Sequence, residues 1–232
     1  MNTEHNQSKD QQIGDRRPLA SRNTGWAHKA TEKLAQTAIT PNQISIGSMV
    51  FAAIAGLLFY MSGTGGALAD TISGGVRATL LLLAALACQC RLLCNLFDGM
   101  LAVEAGRRTA DGLAWNEFPD RYADILIFIG IGYGIGWPSL GWAAACFSVL
   151  TAYTRELGNA VDAGADFSGP MAKQHRMATV TVAAIIAAIV SVVTPISQYA
   201  GAVMTIALVV VAIGALITSV RRSYRMIDHL NS

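Results

Sequence analysis

Polar side chains recur at helical spacings between residues 91 and 124 of an otherwise apolar 232-residue chain. They form two stripes, with Arg91, Asn95, Asp98 and Ala102 in the first and Asn116, Asp120 and Asp124 in the second. Residues three or four positions apart share one face of a helix, so each stripe predicts one polar helix face. Carboxylate and amide oxygens are the ligands that magnesium, manganese and calcium prefer. The spacing therefore indicates a divalent-cation site between two helices.

The short basic segment Gly106-Arg107-Arg108 separates the two stripes. Helices joined by a short loop are usually antiparallel neighbours, so the two polar faces are expected to meet. An alternative is an interhelical salt-bridge network, for example Arg91 with Asp98, that only fixes the packing. Three aspartates and two asparagines exceed what such a network needs, because they would repel one another without cations among them. Since ionisable groups within a membrane span cost a few kcal/mol each, their presence favours a functional site.

Hydrophobic residues make up 53% of the chain and charged residues 14%, a composition typical of membrane proteins. Six apolar stretches each approach the roughly 20 residues that a helix needs to cross a bilayer. They cover residues 43–62, 76–101, 113–135, 138–157, 174–194 and 199–219. The sequence thus predicts an all-α integral membrane protein with six transmembrane helices. The basic residues are spread over separate loops and the net charge is only +2, which argues against a nucleic-acid partner.

The loop charges predict the orientation in the membrane. Basic residues precede the first stretch, separate the second from the third and the fourth from the fifth, and follow the sixth, which satisfies the positive-inside rule. In the opposite loops Arg77 is the only basic residue. Both termini and the polar stripes are therefore expected on the cytoplasmic side of the inner membrane. The four cysteines lie in apolar stretches, where we expect small buried hydrophobic residues rather than disulfides or zinc ligands.

Composition and capping signals describe the remaining segments. Residues 1–20 are polar and lack the apolar core of a signal peptide, so we expect a disordered cytoplasmic tail. Residues 21–38 fit an amphipathic juxtamembrane helix with Trp26 at headgroup level, and a solvated loop is the alternative. Thr40 can cap the following helix, with Pro41 in its first position. Residues 39–220 would then form the transmembrane domain, and residues 221–232 a cytoplasmic tail.

The segment that carries the stripes resembles the signature of the CDP-alcohol phosphatidyltransferases, D-x2-D-G-x2-A-R-x8-G-x3-D-x3-D, on the second and third of six transmembrane helices. Aligned without gaps, its aspartates fall at Asn95, Asp98, Asn116 and Asp120, its glycines at Gly99 and Gly112, and its alanine at Ala102. Asparagine thus replaces two aspartates, and Val103 replaces the arginine. A second alignment, with four extra loop residues, places the last two aspartates at Asp120 and Asp124 but loses the match at Gly112.

Other segments are similar to the same family. Ile39-Thr40-Pro41-Asn42 is similar to the segment that precedes the first span, and Arg155-Glu156 is similar to an Arg-Glu pair in the fourth. The polar loop at 167–176 takes the position where the family commonly gathers basic residues for the acceptor. The resemblance therefore extends over residues 38–220.

The resemblance implies an enzyme that transfers a phosphatidyl group from CDP-diacylglycerol to an alcohol, releases CMP and uses Mg²⁺ or Mn²⁺. It implies metal ligation by Asn95, Asp98, Asn116 and Asp120, and CDP binding by Asp98, Gly99, Ala102 and Gly112. It further implies that Asp120 or Asp124 is the catalytic base, and that Arg155, Lys173, His175 and Arg176 bind the acceptor or its phosphate. A homodimer surrounded by membrane lipid is also implied. The basic loop favours a phosphorylated or otherwise anionic acceptor.

The two asparagines remove two negative charges from the signature. Their presence predicts weaker metal binding, a single tightly held ion, or recruitment of Asp124 or Glu117 as a ligand. One alternative is a catalytically weak or silent family member that binds nucleotide lipid. Another is a small polar-solute transporter, but transporters usually show internal repeats and sites at the membrane midplane, and the two halves of this chain show no convincing similarity.

Overall fold

In the residues that the structure describes, the protein has seven α-helices, one short 3-10 helix and no strand. The computed structural model describes residues 24–65, 68–104, 106–107 and 111–232, and for residues 113 and 116 the helix but not the side chain. The helices are α1 Gly25–Ala35, α2 Pro41–Met61, α3 Gly74–Glu104, α4 Gly112–Gly134, α5 Pro138–Ala160, α6 Lys173–Val192, the 3-10 helix Ile196–Tyr199, and α7 Ala200–Asn231. The prediction of an all-α protein is confirmed. The predicted tail at 1–20 lies outside the described residues.

Helices α2 to α7 correspond to the six predicted apolar stretches, with one clear difference at the carboxyl end. Helix α7 continues to Asn231, through the segment predicted as a cytoplasmic tail. Four helical segments in the described residues are long and apolar enough to cross a membrane, namely Pro41–Met61, Gly74–Glu104, Lys173–Val192 and Ile196–Asn231. Helices α4 and α5 have 23 residues each but are not among the four, and in α4 the charged residues of the polar stripe lower the hydropathy.

The six long helices pack as a closed ring. Each helix packs mainly on two neighbours, in the circular order α2, α3, α6, α7, α5, α4 and back to α2. Helices α3 and α4, which we expected to be direct neighbours, approach each other only over a short stretch. Helix α2 instead packs along both of them, so the two polar stripes meet mainly through their long side chains. All four cysteines are free, with Cys88 in the core but Cys146 exposed.

Glycines let α2 and α4 come into backbone contact. A Cβ atom built on Gly130 would lie 2.1 Å from the carbonyl oxygen of Gly56, and one built on Gly56 would lie 2.4 Å from that of Leu126. Neither backbone can move without separating the helices. Small residues at helix crossings are a common means of close packing in membrane proteins.

The substitution Gly130→Ala is expected to force α2 and α4 apart and to destabilise the protein by roughly 1–3 kcal/mol, the usual cost of overpacking. The measurement is thermal unfolding of the purified protein in detergent. Gly75→Ala is the matched control, because a Cβ atom there meets nothing within 4 Å. Equal midpoints for the two variants would contradict the close contact.

Helix α1 lies against the end of α3 that carries the polar stripe. Ala27 and Thr31 are its buried residues, and the Thr31 hydroxyl donates to Met100 Sδ at 3.8 Å. The Trp26 ring meets Phe97 edge-on, with 6.1 Å between ring centroids. The amphipathic helix predicted for residues 21–38 is therefore present over 25–35, packed on α3.

Arg107, in the segment between α3 and α4, stabilises the junction of α1 and α2 through hydrogen bonds. Its guanidinium donates at 2.8–3.0 Å to the backbone carbonyls of Ala35, Thr37 and Ile39. Carbonyls at the carboxyl end of a helix have no partner within the helix, and a cation stabilises them. The predicted basic hinge thus holds the α1–α2 junction against the end of α3.

Candidate functional site

Three buried carboxylates converge where α3, α4 and α6 meet. Asp98 on α3 is 5% exposed, and Asp120 and Asp124 on α4 are 9% and 4% exposed. A buried carboxylate requires compensating charge or hydrogen bonds. The three carboxylates differ in how many ion pairs and hydrogen bonds the protein provides to them.

Asp120 joins three helices. Its Oδ1 accepts a hydrogen bond from Asn95 Nδ2 at 2.7 Å and one from Arg91 Nη2 at 3.2 Å, both from α3. Its Oδ2 accepts from the ammonium of Lys173, the first residue of α6. Lys173 is partly exposed, so this carboxylate lies on the accessible side of the cluster.

Asp124 is held between two buried arginines. Its Oδ1 accepts from Arg91 Nη2 at 3.3 Å, and its Oδ2 accepts from Arg176 Nη2 at 2.7 Å. Arg176 also donates to the Thr151 hydroxyl at 3.1 Å and to the Met171 carbonyl at 3.0 Å. Both oxygens of Asp124 are therefore used in ion pairs that tie α3, α4, α5 and α6 together.

Asp98 is the carboxylate that the protein satisfies least. Its Oδ2 accepts from the Ser45 hydroxyl of α2 at 2.7 Å, but its buried Oδ1 has no hydrogen-bond partner among the described residues. A buried acceptor without a partner costs about 1–3 kcal/mol, more when it is charged. Asp98 also lies close enough to Asp120 for the two charges to interact.

The sequence reasoning missed the partners that α2 contributes. Besides Ser45, α2 places Ser48 against α3, where its hydroxyl donates to Asn95 Oδ1 at 2.9 Å. The two serines are three positions apart, on one buried face of an otherwise apolar helix. The three-residue spacing of these serines was the sequence feature from which this polar face could have been predicted. The amide of Asn95 is thus fully engaged, accepting from Ser48 and donating to Asp120.

The described residues offer few ligands for a divalent ion. In the described residues no three His, Cys, Asp or Glu side chains come together as a metal-holding group. Asp124 and Glu117 are engaged by arginines, and Asp120 is engaged by Arg91 and Lys173. Of these four carboxylates, only Asp98 forms no ion pair with a described residue. Asn95 presents its amide nitrogen to Asp120, and the Asn116 side chain lies outside the described residues. Remaining ligands would have to come from a bound substrate.

A second set of ion pairs lies beside the carboxylates, on α4 and α5. Glu117 Oε2 accepts from Arg121 and, at 2.5 Å, from Arg155 Nη2. Arg155 also pairs with Glu156 at 2.5 Å, and its guanidinium carbon lies 5.5 Å from the centre of the Phe167 ring. Of the predicted acceptor-binding residues, Arg155, Lys173 and Arg176 are therefore all paired with carboxylates. His175 is exposed, and its Nδ1 donates to the Pro170 carbonyl at 3.0 Å.

The loop between α5 and α6 is tied to the carboxyl-terminal part of α7. Arg222 donates to the Ser168 carbonyl at 3.0 Å, and Arg225 pairs with Asp166 at 3.2 Å. Partial burial opposes ionisation of Asp166, but hydrogen bonds from Ser168 and Arg225 outweigh it and hold the pKa of Asp166 below its usual value. The loop that leads into Lys173 is thus fixed in place.

The remaining predicted residues lie at the edge of the cluster. Gly99 and Ala102 are half-buried on α3, next to Asp98 and one turn beyond it. Helix α4 begins at Gly112, eight residues before Asp120.

Comparisons with known proteins describe the same architecture. No family model matches the sequence, and no curated protein matches it significantly. Among solved structures, the Mycobacterium tuberculosis phosphatidylinositol phosphate synthase with CDP-DAG bound aligns at a TM-score of 0.66 and 19% identity, over 86% of this chain and 92% of that chain. The same enzyme in complex with manganese and citrate aligns at 0.67 and 18% identity, over 87% and 88%. At this level of identity the likeness establishes that the chain shares the fold of that synthase.

Proposed function

We propose that this protein is a membrane-bound CDP-alcohol phosphatidyltransferase, which moves a phosphatidyl group from CDP-diacylglycerol to an alcohol and releases CMP. The observation that carries the proposal is the pair Asp98 and Asp120. The buried Oδ1 of Asp98 has no partner among the described residues, and Asp120 is the most exposed carboxylate of the same cluster. The shared fold supports it, because the solved synthase binds CDP-DAG.

The proposed reaction is a displacement at phosphorus. The acceptor hydroxyl oxygen forms a bond to the β-phosphorus of CDP-diacylglycerol, while the bond from that phosphorus to the bridging oxygen breaks. The bridging oxygen keeps the bonding electron pair and leaves on CMP. The hydroxyl proton passes to a carboxylate and then to water. Holding the two reactants together converts a bimolecular step into a local one, which is a large part of the catalysis.

Asp120 is the proposed proton acceptor. It is the most exposed of the three buried carboxylates, and Asn95, Arg91 and Lys173 fix both of its oxygens in position. Asp124 is less accessible, because both of its oxygens face buried arginines, whereas one oxygen of Asp120 faces the partly exposed Lys173. Asp98 would face the CDP pyrophosphate, with Gly99, Ala102 and Gly112 giving the nucleotide room.

Asp98 and Asp120 would hold a Mg²⁺ or Mn²⁺ ion, with oxygens of the donor completing its shell. When bound, such an ion would neutralise pyrophosphate charge and stabilise the departing CMP. The manganese complex of the solved synthase supports a divalent ion in this fold. Asn95 would orient Asp120, since its amide nitrogen donates to that carboxylate. Asn116 remains a proposed ligand from the signature.

We further propose that all six helices α2 to α7 cross the inner membrane, with both termini and the site on the cytoplasmic side. Loop charge supports this orientation. Helix α4 would cross because its charges are paired inside the ring rather than exposed to lipid. A homodimer is proposed from the family resemblance.

The direct test is CMP release from CDP-diacylglycerol by the purified protein in detergent, across a panel of alcohols, with the lipid product identified by mass spectrometry. The proposal requires CMP and a new phosphodiester lipid in equal amounts. Binding of CDP-diacylglycerol without CMP release would instead indicate a silent family member. Absence of both would leave a transporter as the surviving candidate.

Asp98→Asn is expected to weaken Mn²⁺ binding at least about tenfold, because loss of even a supporting group around a metal has that effect. The measurement is a titration of Mn²⁺ followed by electron paramagnetic resonance of the free ion, with CDP-diacylglycerol present. Glu104→Gln is the control, since Glu104 is on the same helix but exposed and paired with His28. Unchanged Mn²⁺ affinity in Asp98→Asn would remove Asp98 from the metal site.

A further inference from the structure

The basic side chains around the site are already neutralised by carboxylates of the protein. The site contains five basic residues, Arg91, Arg121, Arg155, Lys173 and Arg176, and five acidic ones, Asp98, Glu117, Asp120, Asp124 and Glu156. Each of the five basic residues forms at least one ion pair within this set. No surplus of positive charge remains among these residues.

Glu117 is the residue that most directly offsets the positive charge near the acceptor. A single oxygen, Oε2, accepts from Arg121 and from Arg155, so one carboxylate occupies two guanidinium groups. Arg155 is paired a second time, with Glu156, and is stacked over Phe167. Neither Arg121 nor Arg155 can form a bidentate pair with an incoming phosphate unless its ion pair with Glu117 breaks.

A phosphorylated acceptor would bring unpaired negative charge into this arrangement. A phosphomonoester carries about −1.5 to −2 charges at pH 7. The two negative charges of the donor pyrophosphate would match one divalent ion, which leaves no cation for the acceptor. Freeing Arg121 or Arg155 would break an ion pair whose side chains are only 19–28% exposed, which leaves the partly desolvated Glu117 carboxylate with one partner fewer. Hydroxyl groups both donate and accept, and they fit a site that offers carboxylates and guanidinium groups together.

We infer that the acceptor of this enzyme is an uncharged polyhydroxy alcohol rather than a phosphorylated one, and that Glu117 sets this preference. The inference rests on the proposed transferase function. It reverses the anionic acceptor expected from the basic loop, because the loop charges were counted in the sequence without their partners.

The test compares matched acceptors with the purified wild-type protein and CDP-diacylglycerol. Glycerol is paired with glycerol 3-phosphate, and inositol with inositol 1-phosphate, and CMP release is measured as kcat/KM. The uncharged member of at least one pair is expected to be preferred at least about tenfold. Preference for the phosphorylated members, or no preference, overturns the inference while leaving the transferase function intact. No CMP release with any acceptor contradicts the transferase function itself, and the inference falls with it.

The substitution Glu117→Gln tests whether Glu117 sets the acceptor preference. Freeing Arg121 and Arg155 is expected to shift the kcat/KM ratio towards the phosphorylated acceptor at least about tenfold. Glu104→Gln makes the same chemical change on an exposed carboxylate away from these arginines, and its ratio should equal that of the wild type. If Glu117→Gln does not fold, Glu156→Gln removes one partner of Arg155 alone and should give a smaller shift in the same direction. An unchanged ratio in the folded variant overturns the role of Glu117.

Discussion

Asp120→Asn is expected to lower the rate of CMP release by at least about 100-fold, since a positioned general base contributes at least that much. The asparagine keeps the size of the side chain but cannot accept the hydroxyl proton, and it is a weaker cation ligand. The fold should survive, because Arg91 retains its ion pair with Asp124. The measurement is kcat for CMP release, with the best acceptor from the panel at saturation.

Two controls make the Asp120 result interpretable. The thermal midpoint of Asp120→Asn should lie close to that of the wild type, and binding of CDP-diacylglycerol at saturating Mn²⁺ should remain measurable. Lys173→Met removes the ammonium that contacts Asp120 Oδ2 but leaves the carboxylate, so it should cost less activity. Full activity in Asp120→Asn would exclude Asp120 as the base.

Asp124→Ala is expected to destabilise the protein by about 3–5 kcal/mol, the usual effect of removing one partner from a buried ion pair. Arg176 is 4% exposed and loses its carboxylate partner, which water cannot replace there, whereas the fully buried Arg91 keeps its ion pair with Asp120. For a chain of this size the change corresponds to a fall in Tm of roughly 6–20 °C. Thermal unfolding in detergent measures it.

A double-mutant cycle separates this structural role from a catalytic one. Arg176→Met combined with Asp124→Ala should be less destabilised than the two single changes added together, because the second change removes the stranded cation. Additive effects would contradict the ion pair. If Asp124 is the base, as the shifted alignment has it, Asp124→Asn should instead abolish CMP release at an unchanged Tm.

The start of α2 shows what the sequence alone could predict. Thr40 caps the helix as expected, accepting from the Gln43 backbone N–H at 3.3 Å, and Pro41 takes the first helical position. In turn, the Gln43 side-chain oxygen accepts a hydrogen bond from the Thr40 backbone N–H at 3.0 Å. Local signals of this kind act over three or four residues, so they can be read without knowledge of the tertiary structure.

The polar stripes were predictable as helix faces, but their partners were not. Spacing correctly placed Asn95 and Asp98 on one face of α3, opposite Asp120. The sequence suggested Arg91 as a partner of Asp98, whereas its guanidinium pairs with Asp120 and Asp124. Seven residues separate Arg91 from Asp98, about 10 Å along a helix, so the long side chain reaches the facing helix instead. Such pairing depends on how helices pack, which periodicity does not specify.

The sequence alone also could not predict how the charges near the proposed acceptor site are paired. Lys173 is 53 positions from Asp120, and Arg155 is 38 positions from Glu117. Counting basic residues in a loop gives their number but not their contacts. Helices α4 and α6 are not neighbours in the ring, so these contacts depend on the long side chains of Lys173 and Arg176, which reach Asp120 and Asp124 across its interior.

The pairing of Arg91 with α4 has a consequence for biogenesis. Helix α4 carries four charged residues and is not among the helices apolar enough to cross a membrane by composition, whereas α3 is. Arg91 precedes both of its carboxylate partners in the chain, while Lys173 and Arg176 are synthesised more than 50 residues after them. When α4 leaves the ribosome, α3 is therefore already available to accept it. Arg91 is thus the first of the three basic partners of Asp120 and Asp124 to be synthesised, and it can neutralise charge on α4 before α6 is made.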